Sequence, residues 1–162
     1  MLIERRLAEL GLALPAPMVL PPGVTLPFPW VRVWRDRAYV SGHGPLNADG
    51  TVAGPFGKVG ADVTPDQAYA AARVAGLAIL ASLQRKLGDL DRIDGWLRVF
   101  GMVNCAPGFV ATPGVVNGCS DLVLELWGQE AGEHARSAVG LAELPFGIPV
   151  EIEAEVAITP AR

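Results

Sequence analysis

The segment Val150–Ile158 constrains this chain more than any other. Val150, Ile152, Ala154, Val156 and Ile158 fall on one side of an extended backbone, and Glu151, Glu153 and Glu155 fall on the other. A helix would scatter both sets around its axis, so the segment must be a strand with one buried and one polar face. The fold therefore contains a sheet whose two faces differ. Carboxylates about 7 Å apart on one strand face repel unless they meet solvent or cations.

Other segments supply the remaining elements. Leu2 to Leu10 is a short amphipathic helix, followed by an extended proline-rich strap from Pro15 to Pro29. Trp30–Trp34 and Ala38–Ser41 are short strands around the turn Arg35-Asp36-Arg37, and Thr51–Ala53 is a candidate third strand after the turn Asn47-Ala48-Asp49-Gly50. Thr64-Pro65-Asp66-Gln67 starts a helix with a capping box and proline at the first helical position; Gly88 stops it after Leu87. Ile93 to Asn104 is a strand, and Thr112-Pro113 starts a second long helix on the same logic, ending near Trp127. His134 to Leu141 is a strand before the alternating one. The order ββ(β)αβαββ implies an α+β fold with two helices on one face of a sheet. The opposite face then needs a cover, which a second subunit can supply.

The 162 residues suit one domain, and a 51% hydrophobic, 19% charged composition excludes a disordered chain. Residues 1–29 form the helix and strap, packed on a domain spanning 30–162. Thirteen Lys and Arg against 17 Asp and Glu give a net charge of −4. That argues against a nucleic-acid partner, which needs clustered cations. No apolar run approaches the roughly 20 residues of a membrane span. Cys105 and Cys119 form no paired motif, so a reducing cytoplasm is the expected location. His43 and His134 have no ligand partners at metal spacing, so no metal is expected.

Several side chains could carry chemistry. One of the three glutamates could face a subunit junction and act as a base or hold a water; the alternative is a solvated polar face. Arg136, on the strand preceding them, suits either a structural ion pair with a glutamate or a ligand carboxylate. Ser41 ends a strand, where serine usually forms turns. Cys105 ends another strand beside Asn104, whereas Cys119 lies within a helix as an inert thiol. Asn117 lies mid-helix, where asparagine is a poor helix former and invites a tertiary or ligand contact. Gly54 to Gly60 lacks the phosphate-loop frame and is expected to be a flexible loop with one exposed cation, Lys58.

Ala135-Arg136-Ser137-Ala138-Val139-Gly140-Leu141-Ala142-Glu143-Leu144-Pro145, followed by Val150-Glu151-Ile152-Glu153-Ala154, resembles the C-terminal signature of the YjgF/Rid superfamily. This is the reactive-intermediate imine/enamine deaminase group, also labelled L-PSP endoribonuclease. Val40-Ser41-Gly42-His43-Gly44-Pro45 resembles its N-terminal motif; Val103 to Phe109 and Val116-Asn117 resemble its middle motifs. The similarity covers about residues 30–158, and the N-terminal extension resembles that of a longer subgroup.

The resemblance implies a chorismate-mutase-like fold, a homotrimer and clefts between subunits. It implies hydrolysis of a 2-imino or 2-enamino acid, such as 2-aminoacrylate, to a 2-oxo acid and ammonia, without a cofactor. Arg136 would clamp the substrate carboxylate and Glu151 would place the attacking water. Ser41, Asn117, Phe28 and Cys105 would line the substrate site. The departures are Phe28 or Trp30 where the family carries an aromatic hydroxyl, His43 for glutamine and Ala138 for cysteine. The alternative is a non-catalytic trimer that binds a small carboxylate metabolite at the same clefts. A ribonuclease is disfavoured by the acidic charge and the lack of a histidine pair.

Overall fold

The alternating segment forms β5, Val150–Ile158, with its apolar residues buried and Glu151, Glu153 and Glu155 half-buried on the other face. The computed structural model describes residues 1–159; the expected domain end at 162 lies outside them. β5 is the centre of a five-stranded sheet with β1 (Val31–Trp34), β2 (Arg37–His43), β3 (Ile93–Asn104) and β4 (Ala135–Leu141), in the order β1-β2-β5-β3-β4. β5 is antiparallel to β2 and β3, whereas β3 and β4 are parallel. β3 thus separates β4 from β5, so the two C-terminal strands are not neighbours.

Helices α2 (Pro65–Leu87) and α3 (Thr112–Gly132) pack on each other and on one sheet face, giving the expected α+β architecture. The α2 start follows its sequence signal. Thr64 Oγ1 accepts from the Gln67 N–H at 3.2 Å, and Gln67 Oε1 accepts from the Thr64 N–H at 3.0 Å. Gly88 ends the helix in the left-handed region, its N–H donating to Gln84 O at 2.7 Å. α2 and α3 come close because Gly118 has no side chain: a Cβ there would stand 2.0 Å from Tyr69 O.

Three local expectations change. Thr112 does not cap α3; Ala111 holds that position, and Thr112 Oγ1 donates to Ala138 O at 3.1 Å, tying the helix start to β4. α3 extends to Gly132, but Gly128 at φ 73° breaks its regular helix just after Trp127. Thr51–Ala53 forms no strand. Val52 makes a single bridge to Leu46, because Pro45 has no N–H to extend the ladder and the Asn47–Gly50 turn closes on itself.

The N-terminal helix α1 (Leu2–Glu9) buries Ile3 and Leu7 and contacts α3. The strap crosses the Asn47–Gly50 turn, with the Ala16 N–H donating to Ala48 O at 3.0 Å and the Val19 N–H to Gly50 O at 2.9 Å. Arg85 of α2 holds its start by donating from Nη1 to Pro15 O at 3.2 Å. No helix among the described residues is long and apolar enough to cross a membrane.

Candidate functional site

β4 is an edge strand, and Arg136 lies on it in register with Val99. Val99 is fully buried beneath the helices, so Arg136 projects on the helix side of the sheet. There α3 meets it. Arg136 Nη1 donates to Asn117 Oδ1 at 2.8 Å and to Ser120 Oγ at 3.0 Å, and Nη2 donates to Pro113 O at 3.3 Å. All three acceptors are neutral. No carboxylate lies within ion-pair distance of Arg136 among the described residues, so its charge is oriented but not cancelled. Of the two readings open for Arg136, the ion pair with a glutamate is therefore absent among the described residues. Arg37 instead takes Glu155, at 2.7 Å.

Ser120 and His134 support this guanidinium, and the sequence did not single out either for that task. His134 Nδ1–H donates to Gly132 O at 2.7 Å, which leaves Nε2 as an acceptor. Ser120 then donates its hydroxyl proton to Nε2 at 2.9 Å and turns an oxygen lone pair to Arg136. The mid-helix Asn117 finds its reason here, because its amide oxygen is the shortest partner of Arg136. Cys105 lies at the same edge, since a Cβ on Gly140 of β4 would meet its Sγ at 2.9 Å. Burial raises the Cys105 thiol above its ordinary value, with nearby Lys58 opposing the shift. Cys105 is thus a protonated thiol at neutral pH. Burial pushes Cys119 up to about 12.

Glu151 is elsewhere. It is in register with Met102, three positions from the Val99–Ala154 pair, and so projects on the sheet face away from the helices. Within one protomer the structure does not bring Arg136 and Glu151 together. Glu151 borders a cavity of about 310 Å³ that Phe28, Trp30 and His43 also line. Its carboxylate lies over Gly42, where a Cβ would stand 2.0 Å from Oε1. Burial, and then the like charge of Glu153, raises the Glu151 pKa. No donor hydrogen-bonds to this carboxylate among the described residues.

Ser41 adjoins this group without presenting a free hydroxyl, since its Oγ donates to Pro29 O at 2.9 Å. Phe28 is half exposed and packs edge-on to Trp30, with centroids 6.1 Å apart; Trp30 covers His43 at 4.9 Å. His43 is buried and repeats the arrangement found at His134. Its Nδ1–H donates to Ser41 O at 2.6 Å, Nε2 accepts from Ser82 Oγ at 2.8 Å, and Arg85 Nη2 donates to Ser82 Oγ at 3.1 Å. Burial, aided by Arg85, lowers the His43 pKa to about 4.

The glycine-rich loop also differs from expectation. Lys58 Nζ donates to Asn104 Oδ1 at 3.1 Å and to Ala142 O, and pairs with Glu143 at 3.1 Å. The Lys58 N–H donates to Asp62 Oδ2, and the Gly57 N–H to Gly147 O at 2.7 Å. The lysine is a tether between segments, because the loop brings it against the carbonyl-rich end of β4. The acidic trio Glu4, Asp89 and Asp91 could in principle hold an ion. However, Glu4 and Asp91 already accept backbone N–H groups of Leu90, Leu2 and Ile3.

Comparison with known proteins places this geometry in context. Residues 30–147 match the family model described as “YjgF/chorismate mutase-like, putative endoribonuclease”. Protein TCP17 of Trypanosoma cruzi is 42% identical over 120 residues, covering 74% of each chain. The solved protein Atu1372 of Agrobacterium tumefaciens is 38% identical, with a TM-score of 0.85 over 98% of this chain and 94% of that one. A solved protein of Shewanella oneidensis MR-1 that carries the same endoribonuclease label is 30% identical, with a TM-score of 0.86 over 98% of this chain and all of that one (100%).

Proposed function

We infer the function from one premise: this chain belongs to the YjgF/chorismate mutase-like family. The reading is hydrolysis of a 2-imino or 2-enamino acid to a 2-oxo acid and ammonium. Two copies of the chain form each site in a homotrimer, one supplying Arg136 and the neighbour supplying Glu151. The observation that carries this reading is the Arg136 guanidinium, oriented by three neutral acceptors and left without an acid partner. A forked cation held in this way suits a planar carboxylate.

The chemistry asks little of the protein. An enamine first takes a proton at its β-carbon and becomes the iminium. Water adds to the C=N carbon, forming a C–O bond and releasing one proton to Glu151. That proton passes to the nitrogen, the C–N bond breaks with ammonia taking the bonding pair, and the hydroxyl proton goes through Glu151 to the ammonia as C=O forms, giving ammonium. Iminium plus water thus balances 2-oxo acid plus ammonium. Arg136 holds the carboxylate with Asn117 beside it; Glu151, lacking a donor of its own, orients the water. The raised Glu151 pKa favours this proton shuttle near neutral pH. Phe28, Ser41 and Cys105 line the cleft. The Ser41 hydroxyl is committed to Pro29, and Cys105 is not a nucleophile.

A second reading is a trimer that binds a small carboxylate without turnover. Phe28 favours it, because it offers an aromatic edge where a phenol would offer a proton. The endoribonuclease label has little support here. The open sheet face carries Glu151, Glu153 and Glu155, and the net charge is −4. The test is ammonia release from 2-aminoacrylate generated in situ by a dehydratase. Wild type should accelerate it and Arg136→Ala should abolish the gain while keeping the oligomer. Equal rates for the two proteins would refute the reading, and thermal stabilisation by 2-oxo acids without turnover would favour the second.

A further inference from the structure

The cavity beside Glu151 is larger and more apolar than the three-carbon 2-aminoacrylate requires. Its outer wall is the strap, through Leu20, Val24 and Leu26, and its inner wall includes Leu46 and Ile148. At about 310 Å³ it lies at the lower end of the ~300–1,000 Å³ range of small-molecule sites. Val24, Phe28 and Phe146 on its lining are 46%, 48% and 56% exposed. Three large apolar groups around one cavity form a patch that costs free energy in water when left uncovered.

Its polar lining is mostly committed. Both ring nitrogens of His43 and the Ser82 hydroxyl are satisfied within the wall. Arg85 is engaged with Pro15 and Ser82. Among the described polar side chains of this lining, Glu151 is the one without a hydrogen-bond partner in the protein. A ligand there meets one polar end, where the reaction is proposed to occur, and an apolar chamber behind it. The strap supplies about a third of the lining and is pinned to the domain before the wall at Pro15, Ala16 and Val19 and after it at Pro29. The chamber is thus built in, not left by a loose segment.

We propose that this chamber receives the side chain of the substrate, and that the preferred substrates are 2-imino acids bearing a branched aliphatic or aromatic side chain. The proposal rests on the hydrolytic site described above and adds a selectivity that the clamp and the carboxylate do not contain. Each methylene moved from water into such a chamber favours binding about fourfold. A leucine- or phenylalanine-derived imine should therefore exceed 2-aminoacrylate by at least tenfold in kcat/KM.

The test compares imines produced in situ, from leucine and phenylalanine by an amino-acid oxidase and from serine by a dehydratase. Wild type, Val24→Asp and Val24→Trp are assayed. Val24 lies on the exposed strap, so either change should leave the sheet intact; the first puts a charge in the chamber and the second fills it. The expected result is a wild-type preference of tenfold or more that falls below about threefold in both variants. Equal kcat/KM for all imines would overturn the proposal while leaving the hydrolytic reading standing. A preference unchanged in both variants would overturn it too. If no imine is hydrolysed, the hydrolytic reading fails and binding decides. Phenylpyruvate raising Tm where pyruvate does not, with the effect lost in Val24→Asp, would support the chamber. Equal or absent shifts would overturn it.

Discussion

Asn117 Oδ1 accepts a hydrogen bond from Arg136 Nη1 at 2.8 Å, linking the first half of α3 to the edge strand β4. An asparagine inside a helix is locally unfavourable, and here its amide orients a guanidinium that no acid neutralises. Asn117→Ala should therefore weaken carboxylate binding without unfolding the protein, because Asn117 is exposed. A hydrogen bond to a charged group contributes about 1.5–3 kcal/mol. Titration calorimetry with a 2-oxo acid should show a loss of roughly ten- to a hundredfold in affinity.

Ser120 acts through Arg136 and not on a ligand. Ser120→Ala removes the hydroxyl that accepts from Arg136 and donates to His134. The variant should raise KM several-fold with kcat little changed, since the loss is in placing the anion. Ser120→Thr keeps the hydroxyl and should restore most of the affinity. A fall in kcat alone would contradict this role.

Gly42 sets the position of Glu151. A methyl group there would overlap the carboxylate, 2.0 Å from Oε1. The obstacle is the end of a side chain, so Gly42→Ala should displace Glu151 at small cost in stability. Activity should drop at least tenfold, while 2-oxo acid binding at Arg136 persists. In wild type, the acidic limb of the kcat/KM profile should lie above the ordinary glutamate range, because burial and Glu153 raise this group. Glu151→Gln should remove that limb together with most of the rate.

His43 makes stability depend on pH. Its folded pKa is about 4 against an ordinary value of 6.5. Between those values the unfolded chain binds a proton that the folded protein refuses, so acid favours unfolding. The contribution is fully present above about pH 6.5, fades by about 3 kcal/mol as pH falls to 4, and changes no further below. Urea unfolding of wild type and His43→Gln at pH 7, 5.5 and 4.5 should show a shallower decline in the variant. Parallel declines would assign the effect to other groups.

Gly118 allows the two long helices to touch. A Cβ would meet the Tyr69 carbonyl oxygen at 2.0 Å, and that atom is backbone that cannot step aside. Gly118→Ala should cost about 3 kcal/mol or more, or yield no folded protein. Gly114, on the same helix with nothing near its Cβ position, is the control whose alanine variant should keep full stability.

What the sequence disclosed follows from the range of each interaction. The β5 alternation and the Thr64–Gln67 capping box are local patterns, and both appear in the structure as expected. Arg136 and Asn117 stand out both by their own chemistry and by the motif resemblance, and the structure joins them. The strand order was not legible, because α3 carries the chain across and sets β4 parallel to β3. The ion pair between Arg136 and a glutamate, one of the two readings open for that arginine, does not form for that reason. Ser120 and His134 gave no sign of their task, since a helix residue and a loop histidine meet only after the crossover. Lys58 looked free because its acceptors, Asn104, Ala142 and Glu143, are distant in sequence.

Arg136 and Glu151 project from opposite sides of one sheet, so a site shared by two subunits, as proposed, would carry an unusual genetics. A subunit missing its guanidinium still carries an intact carboxylate, and one missing its carboxylate still carries the guanidinium. Blended in one assembly, two individually dead versions should rebuild some working junctions, so co-expressed Arg136→Ala and Glu151→Gln chains should complement each other where neither succeeds alone.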